Sequence, residues 1–235
     1  MKSVVLVASL TLIAASSQAQ IITQWNFNSP TPDASTGTGS VLPSIGVGTA
    51  ALTGGTTATF ASGDANGGST DPAVGDDSGW NLTNFPAANA ANKTAGASFF
   101  VSTQGFSNIV ISYDLRHSNT SSRFEQVQYS INGGVSWVDA FPFDGNAGDT
   151  WFNGRTVNLS GVAAVNNNSA FAFRVVAAFI PGNVVYQGSA LGSMYSSAGT
   201  WRVDMATVTA VPEPGIYAML LAGLAAVAFI ARRRR

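Results

Sequence analysis

The densest set of chemically versatile side chains in this sequence is Asp114-Leu-Arg116-His117-Ser118-Asn-Thr120-Ser-Ser-Arg123, with Glu125 two residues on. Two guanidiniums, an imidazole and a carboxylate around one strand–loop–strand turn can grip an acidic or hydroxylated ligand through charge-assisted hydrogen bonds. The same residues could equally form a solvated ion-pair network. Asp114, Arg116, His117 and Arg123 are therefore candidate ligand-binding residues. Asp144 and Trp151 join them from the aromatic stretch FPFDGNAGDTWF, where rings stand beside Asp149, Asn146 and Arg155. Sugars are commonly held that way, by stacking on the ring face and hydrogen bonds at its edge. Glycosidic hydrolysis needs two facing carboxylates, and Asp114 with Glu125, on strands expected to pair, is the pair on offer. His117 is the single histidine and follows no nucleophile motif. Serine-hydrolase chemistry and a histidine-based metal centre both lack parts.

A second cluster carries oxygen ligands only: Asp64, Asn66, Asp71, Asp76 and Asp77, spread through a Gly-rich stretch. Ca²⁺ takes such ligands. The spacing does not match the twelve-residue helix-flanked calcium loop, and solvated turn aspartates would give the same pattern. Ca²⁺ is the one cofactor for which this sequence offers a place. There is no cysteine, which excludes thiolate metal sites and a cysteine nucleophile.

The elements that must position these residues read as strands. NIVISYDLR puts Ile109, Ile111, Tyr113 and Leu115 on one face and Asp114 and Arg116 on the other. RFEQVQYSI turns Val127, Tyr129 and Ile131 inward, and Asn132-Gly133-Gly134 supplies the hairpin turn that leads into a partner strand from Val135. Ser130 to Trp137 resembles a single Asp-box hairpin, with Asn132 and Ser136 in place of its Asp and Thr. That motif is a folding device and implies no activity here. Ala170–Ile180 is a long apolar strand in which Arg174, if buried, needs a carboxylate such as Asp114 or Asp204. Val184–Gln187 reads as a short strand. IITQWNFN opens the body and TWRVDMATV closes it, and these two are expected to pair. Ser29–Asn92 shows no strong periodicity, which suggests long loops or an edge region, and offers only short candidate strands at Ala50–Leu52 and Thr56–Ala61. Nine or ten strands and no helix before Ile216 predict an all-β fold, an antiparallel two-sheet sandwich of jelly-roll type.

The two ends of the chain differ from the body. Val211-Pro212-Glu213-Pro214-Gly is expected to stop any strand or helix, because two prolines fix φ and remove two donors. Ile216–Ala231 carries no charge and would rise roughly 24 Å as a helix, against a hydrocarbon core of about 30 Å. Arg232, Arg233, Arg234 and Arg235 follow and can snorkel to the headgroups. A transmembrane helix over 216–231 with its C-terminus in the cytoplasm is the expectation. The order of Val211-Pro212-Glu213-Pro214, apolar helix and arginine cluster resembles the PEP-CTERM sorting signal. That resemblance implies processing by an exosortase in a Gram-negative bacterium that makes exopolysaccharide. At the other end, Met1-Lys2-Ser3, the run VVLVASLTLIAA and Ser17-Gln18-Ala19 read as a signal peptide cut after Ala19.

The expected organisation is thus a signal peptide at 1–19, an exported β-sandwich at 20–210 and a sorting tail at 211–235. The exported part sets six cations against eleven carboxylates, a net charge of −5, which argues against a nucleic-acid partner. The expected role is a non-enzymatic cell-surface or matrix protein that passes the inner membrane, is processed by an exosortase and binds exopolysaccharide. The alternative is a secreted hydrolase acting on polysaccharide or phosphodiester.

Overall fold

The computed structural model describes residues 18–213 and 215–233. The expected signal peptide therefore lies, apart from Gln18 and the exposed Ala19, outside the described residues, as do Pro214, Arg234 and Arg235. The ordered chain starts in β1 (Gln20–Trp25), whose alternation buries Thr23 and Trp25. Next come β2 (Ile45–Gly46), β3 (Thr49–Thr53), β4 (Thr57–Ser62), β5 (Ser78–Thr83) and β6 (Gly96–Phe100). The longer strands follow: β7 (Phe106–His117), β8 (Phe124–Ser130), β9 (Val138–Asp144), β10 (Thr150–Asn158), β11 (Ala172–Ala178) and β12 (Trp201–Pro212). A helix, α1 (Ile216–Arg233), ends the chain.

Every strand pairing is antiparallel, and the strands form two sheets. The seven-stranded sheet runs β10-β7-β12-β1-β2, with β5 added to β12 and β4 to β5; the five-stranded sheet runs β3-β6-β11-β8-β9. This is the all-β, two-sheet sandwich the sequence predicts. First and last strands pair, from Gln20 opposite Ala210 to Trp25 opposite Ala206. Trp201 itself pairs with Leu82 and His117.

Between the sheets lies one core. Ile109, Ile111, Tyr113 and Leu115 enter it from β7 as their alternation requires, and Phe99 stacks on Phe173 at 4.7 Å. Burying each such side chain contributes about 1.5–3 kcal/mol.

Several sequence expectations are corrected. Val211 and Pro212 do not interrupt the last strand: β12 continues through Pro212, opposite Phe106, and the Glu213 N–H donates to the Gly105 carbonyl at 2.9 Å. A proline is tolerated at a strand end because its fixed φ is compatible with extended chain. Val184–Gln187 is not a strand; the nearby pairing is a single bridge between Ser122 and Gly188. The partner of β8 begins at Val138, not Val135, since Ser130 and Asn132 hold residues 130–136 in a side-chain-bonded turn. Ile131 falls beyond the strand and is exposed. Among the described residues no helix is long and apolar enough to cross a membrane.

Candidate functional site

The outer face of the five-stranded sheet carries a polar row in strict register. Ser98 of β6, Arg174 of β11, Gln128 of β8 and Asp139 of β9 stand side by side across four strands. They alternate with the inward Phe99, Phe173, Val175 and Val127, so the pleat alone turns them outward. The row is linked: Arg174 Nε donates to Gln128 Oε1 at 2.6 Å, and Gln128 Nε2 donates to Asp139 Oδ1 at 2.7 Å. Lys93 Nζ pairs with the other Asp139 oxygen, and Arg174 Nη2 donates to the Lys93 carbonyl at 3.1 Å. Trp137 lies under the Arg174 guanidinium, 4.4 Å from ring centroid to Cζ. Burial holds the Arg174 pKa below its ordinary value, with Asp139 opposing. Burial raises Asp139, but the bonds from Lys93 and Gln128 outweigh it and hold the carboxyl below its usual range. Arg174 thus meets neither Asp114 nor Asp204, which belong to the other sheet.

The floor between these polar groups is small. Ala172 and Ser130 are register partners, Ser98, Gln126 and Gln128 are buried in the row, and Arg174 is half-buried. What this face offers is amide, guanidinium, ammonium and carboxylate groups beside one indole.

The outer face of the seven-stranded sheet is different, because residues 63–77 lie across it. Asp114 accepts from Thr70 N–H and Thr70 Oγ1, both at 2.6 Å, and from Gly154 N–H at 2.7 Å. Trp151 is buried and donates Nε1–H to the Ala65 carbonyl at 2.8 Å; Asn66 donates to the Asp149 carbonyl at 2.9 Å. Arg116 pairs with Asp149 at 2.7 Å. Asp64 and Asp76 accept from backbone N–H groups of Gly75 and Asp33, while Asp71 and Asp77 turn toward Asp204. One oxygen from each of Asp71, Asp77 and Asp204 lies within 4.8 Å of the others. Asp204 is aimed there by a β-bulge: the register with β7 slips by one residue after it, Met205 has φ 47°, and its N–H bonds Asp204 Oδ1 at 2.7 Å. Burial pushes the Asp77 carboxyl up to about 6, with Asp71 adding to the rise, and pushes Asp204 well above the carboxylate range, with Asp77 adding.

Between the sheets, Glu125 is fully buried. Tyr113 Oη donates to it at 2.6 Å, and His117 Nε2 and Arg155 Nη2 each approach its other oxygen at 3.1 Å. His117 Nδ1 faces the Ser122 carbonyl at 2.9 Å. The Arg155 guanidinium is sandwiched by Phe143 and Phe152 at 4.7 and 4.5 Å. Burial raises Glu125, yet His117, Arg155 and Tyr113 together hold it below its ordinary value. The strands carrying Asp114 and Glu125 do not pair: β7 and β8 belong to different sheets. Tyr113 points inward to Glu125, so its neighbour Asp114 points outward, and the two carboxylates lie on opposite sides of the seven-stranded sheet.

Of the six residues proposed from sequence for ligand binding, the structure therefore brings no single group together. Asp114, His117 and Trp151 are buried and bonded within the chain. Arg123 and Asp144 form an exposed bidentate pair, with both bonds 2.7 Å, and Arg116 is held by Asp149. The polar row was missed, although its signal was present: Gln126 and Gln128 alternate with inward residues in β8.

An apolar groove of about 730 Å³ lies at the tail-proximal end, walled by Ile21, Ile22, Val47, Phe100, Phe106 and Phe171. It has no charged lining residue.

Residues 210–235 match the PEP-CTERM protein-sorting motif. No curated protein matches the chain. Among solved structures, the chain resembles the N-terminal tandem of family 22 carbohydrate-binding modules from Paenibacillus barcinonensis Xyn10C. Identity is 12%, TM-score 0.48, covering 86% of this chain and 49% of that one, so this chain spans about half its length. The C-terminal family 22 carbohydrate-binding module of Clostridium thermocellum Xyn10B gives 13% identity and a TM-score of 0.37, covering 71% and 88%. The K1 cleaved adhesin domain of Lys-gingipain from Porphyromonas gingivalis W83 gives 10% and 0.41, covering 85% and 100%. Identities this low transfer no ligand.

Proposed function

We propose that this is an exported, non-catalytic surface protein, sorted and processed through its tail, whose five-stranded sheet binds polysaccharide on its outer face. The observation that carries the binding reading is the row Ser98–Arg174–Gln128–Asp139 with Trp137 beside it. Hydroxyl-rich chains are recognised by fixed donors and acceptors at a ring edge and an aromatic surface under a ring face, and an extended row suits an extended ligand. A non-catalytic role is supported by the separation of Asp114 and Glu125 to opposite sides of a sheet, which leaves hydrolysis without that facing pair.

The sorting reading rests on the matched motif. Its finer steps are part of the proposal: the tail engages the inner membrane before processing, Arg232 to Arg235 stay on the cytoplasmic side, and an exosortase cuts the tail. Leu224, Val227, Phe229 and Ile230 are exposed on α1, so the sandwich does not cover them and lipid can. Replacing the four arginines with glutamine tests this step. Cell fractionation should show loss of the processed form; processing that continues unchanged would contradict it. The binding reading is tested by affinity electrophoresis of residues 20–213 through gels of soluble polysaccharides, with Gln128→Ala as the variant. Retardation in at least one gel that weakens in the variant supports it, and no retardation in any gel overturns it.

A further inference from the structure

We infer that Asp71, Asp77 and Asp204 form a Ca²⁺ site that clamps residues 63–77 to the outer face of the seven-stranded sheet. This site is separate from the polysaccharide face, which lies on the other sheet. Three carboxylate oxygens from parts of the chain up to 133 residues apart converge within 4.8 Å. Asp204 and Asp77 are 0% and 1% exposed, and Asp204 Oδ2 and Asp77 Oδ1 have no hydrogen-bond partner. A buried ionised oxygen without a donor is costly. Two such oxygens beside a third carboxylate must either share a proton or hold a cation, and the convergence of all three carboxylates within 4.8 Å fits the cation.

Among the described residues no Lys, Arg or His forms an ion pair with these three carboxylates. The Arg202 guanidinium, on the same strand as Asp204, is directed to the Ser62 carbonyl. By contrast, the remaining oxygens of the cluster are bonded. Asp71 accepts from Asn28 Nδ2 and the Ala73 N–H, both at 2.9 Å, and Asp77 Oδ2 accepts from Ser69 Oγ at 3.1 Å. Those bonds orient the carboxylates and leave Asp77 Oδ1 and Asp204 Oδ2 without a donor. Gly63 matters for the same reason: a Cβ there would collide with the Asp77 carboxylate. An all-oxygen, irregular donor set drawn from a loop and a bulged strand suits Ca²⁺, which accepts flexible geometry, more than Mg²⁺, which demands a near-ideal octahedron.

The test uses full-length protein stripped with chelator, then titrated with CaCl₂ by calorimetry and followed by thermal unfolding. The inference expects one calcium per chain, a melting point raised by several degrees, and protection of the 63–77 amides from hydrogen exchange. Asp204→Asn should abolish the calcium-dependent shift. Should that variant fail to fold, Asp71→Asn, on the loop itself, should weaken binding by tenfold or more. A wild-type melting point unmoved by calcium overturns the inference, as does an Asp204→Asn protein that binds calcium as tightly as wild type.

Discussion

Asp204 stands directly opposite Asp114 in the register of β12 and β7, yet Asp114 has donors on both oxygens and Asp204 has one oxygen with none. The difference comes from two bulges. One in β10, at Gly154, brings an N–H to Asp114, and one in β12, at Met205, turns Asp204 toward Asp77. On one sheet face, equivalent residues become a structural tie and a cation ligand.

The tie can be measured. Asp114→Ala removes acceptors from Thr70 and Gly154 and leaves those donors under the 63–77 segment. Hydrogen bonds to charged groups are worth about 1.5–3 kcal/mol each in net terms, and partial rescue by water reduces the total to about 2–4 kcal/mol. Urea unfolding should show that loss, with Thr70 and Gly154 amides exchanging faster. A change under about 0.5 kcal/mol would remove Asp114 from this role.

Glu125→Gln breaks a buried ion pair and should destabilise by about 3–5 kcal/mol. The effect depends on acid. Folded Glu125 is held below its ordinary 4.5, so its stabilisation is complete above that value and disappears as pH falls beneath it. Melting curves of wild type and variant should therefore converge below pH 4.5. Curves that keep the same separation down to pH 3 would contradict the assignment.

Arg174→Lys keeps the charge but loses the planar fork. The bond to Gln128 and the stack on Trp137 both depend on the guanidinium. Polysaccharide affinity should fall about tenfold, or 1.4 kcal/mol. Thermal stability should move little, because this face contributes nothing to the core.

The strands with clean alternation were legible. Ile109, Ile111, Tyr113 and Leu115 in β7, and the pairing of first and last strands, follow from period-two patterning and from closure of the sandwich. Within residues 29–96 only β3 and β4 were legible, as the short candidate strands Ala50–Leu52 and Thr56–Ala61; β2 has two residues, and sequences such as TAALT and TATFAS carry little pattern from which to read their pairing. The site was hidden for another reason. Asp71 and Asp77 could be named from composition, but Asp204 joins them only through a bulge, and periodicity has no way to announce one extra residue. Glu125 with Asp114 misled because adjacent strands in sequence were assigned to one sheet, whereas the chain crosses to the other sheet between His117 and Phe124.

The most direct test of the binding account is Trp137→Ala in polysaccharide affinity electrophoresis, paired with its melting curve. The account predicts that wild-type protein is retarded by at least one polysaccharide, and that the variant loses most of that retardation while melting within a few degrees of wild type. A variant as strongly retarded as wild type, or a wild type retarded by none, would contradict it.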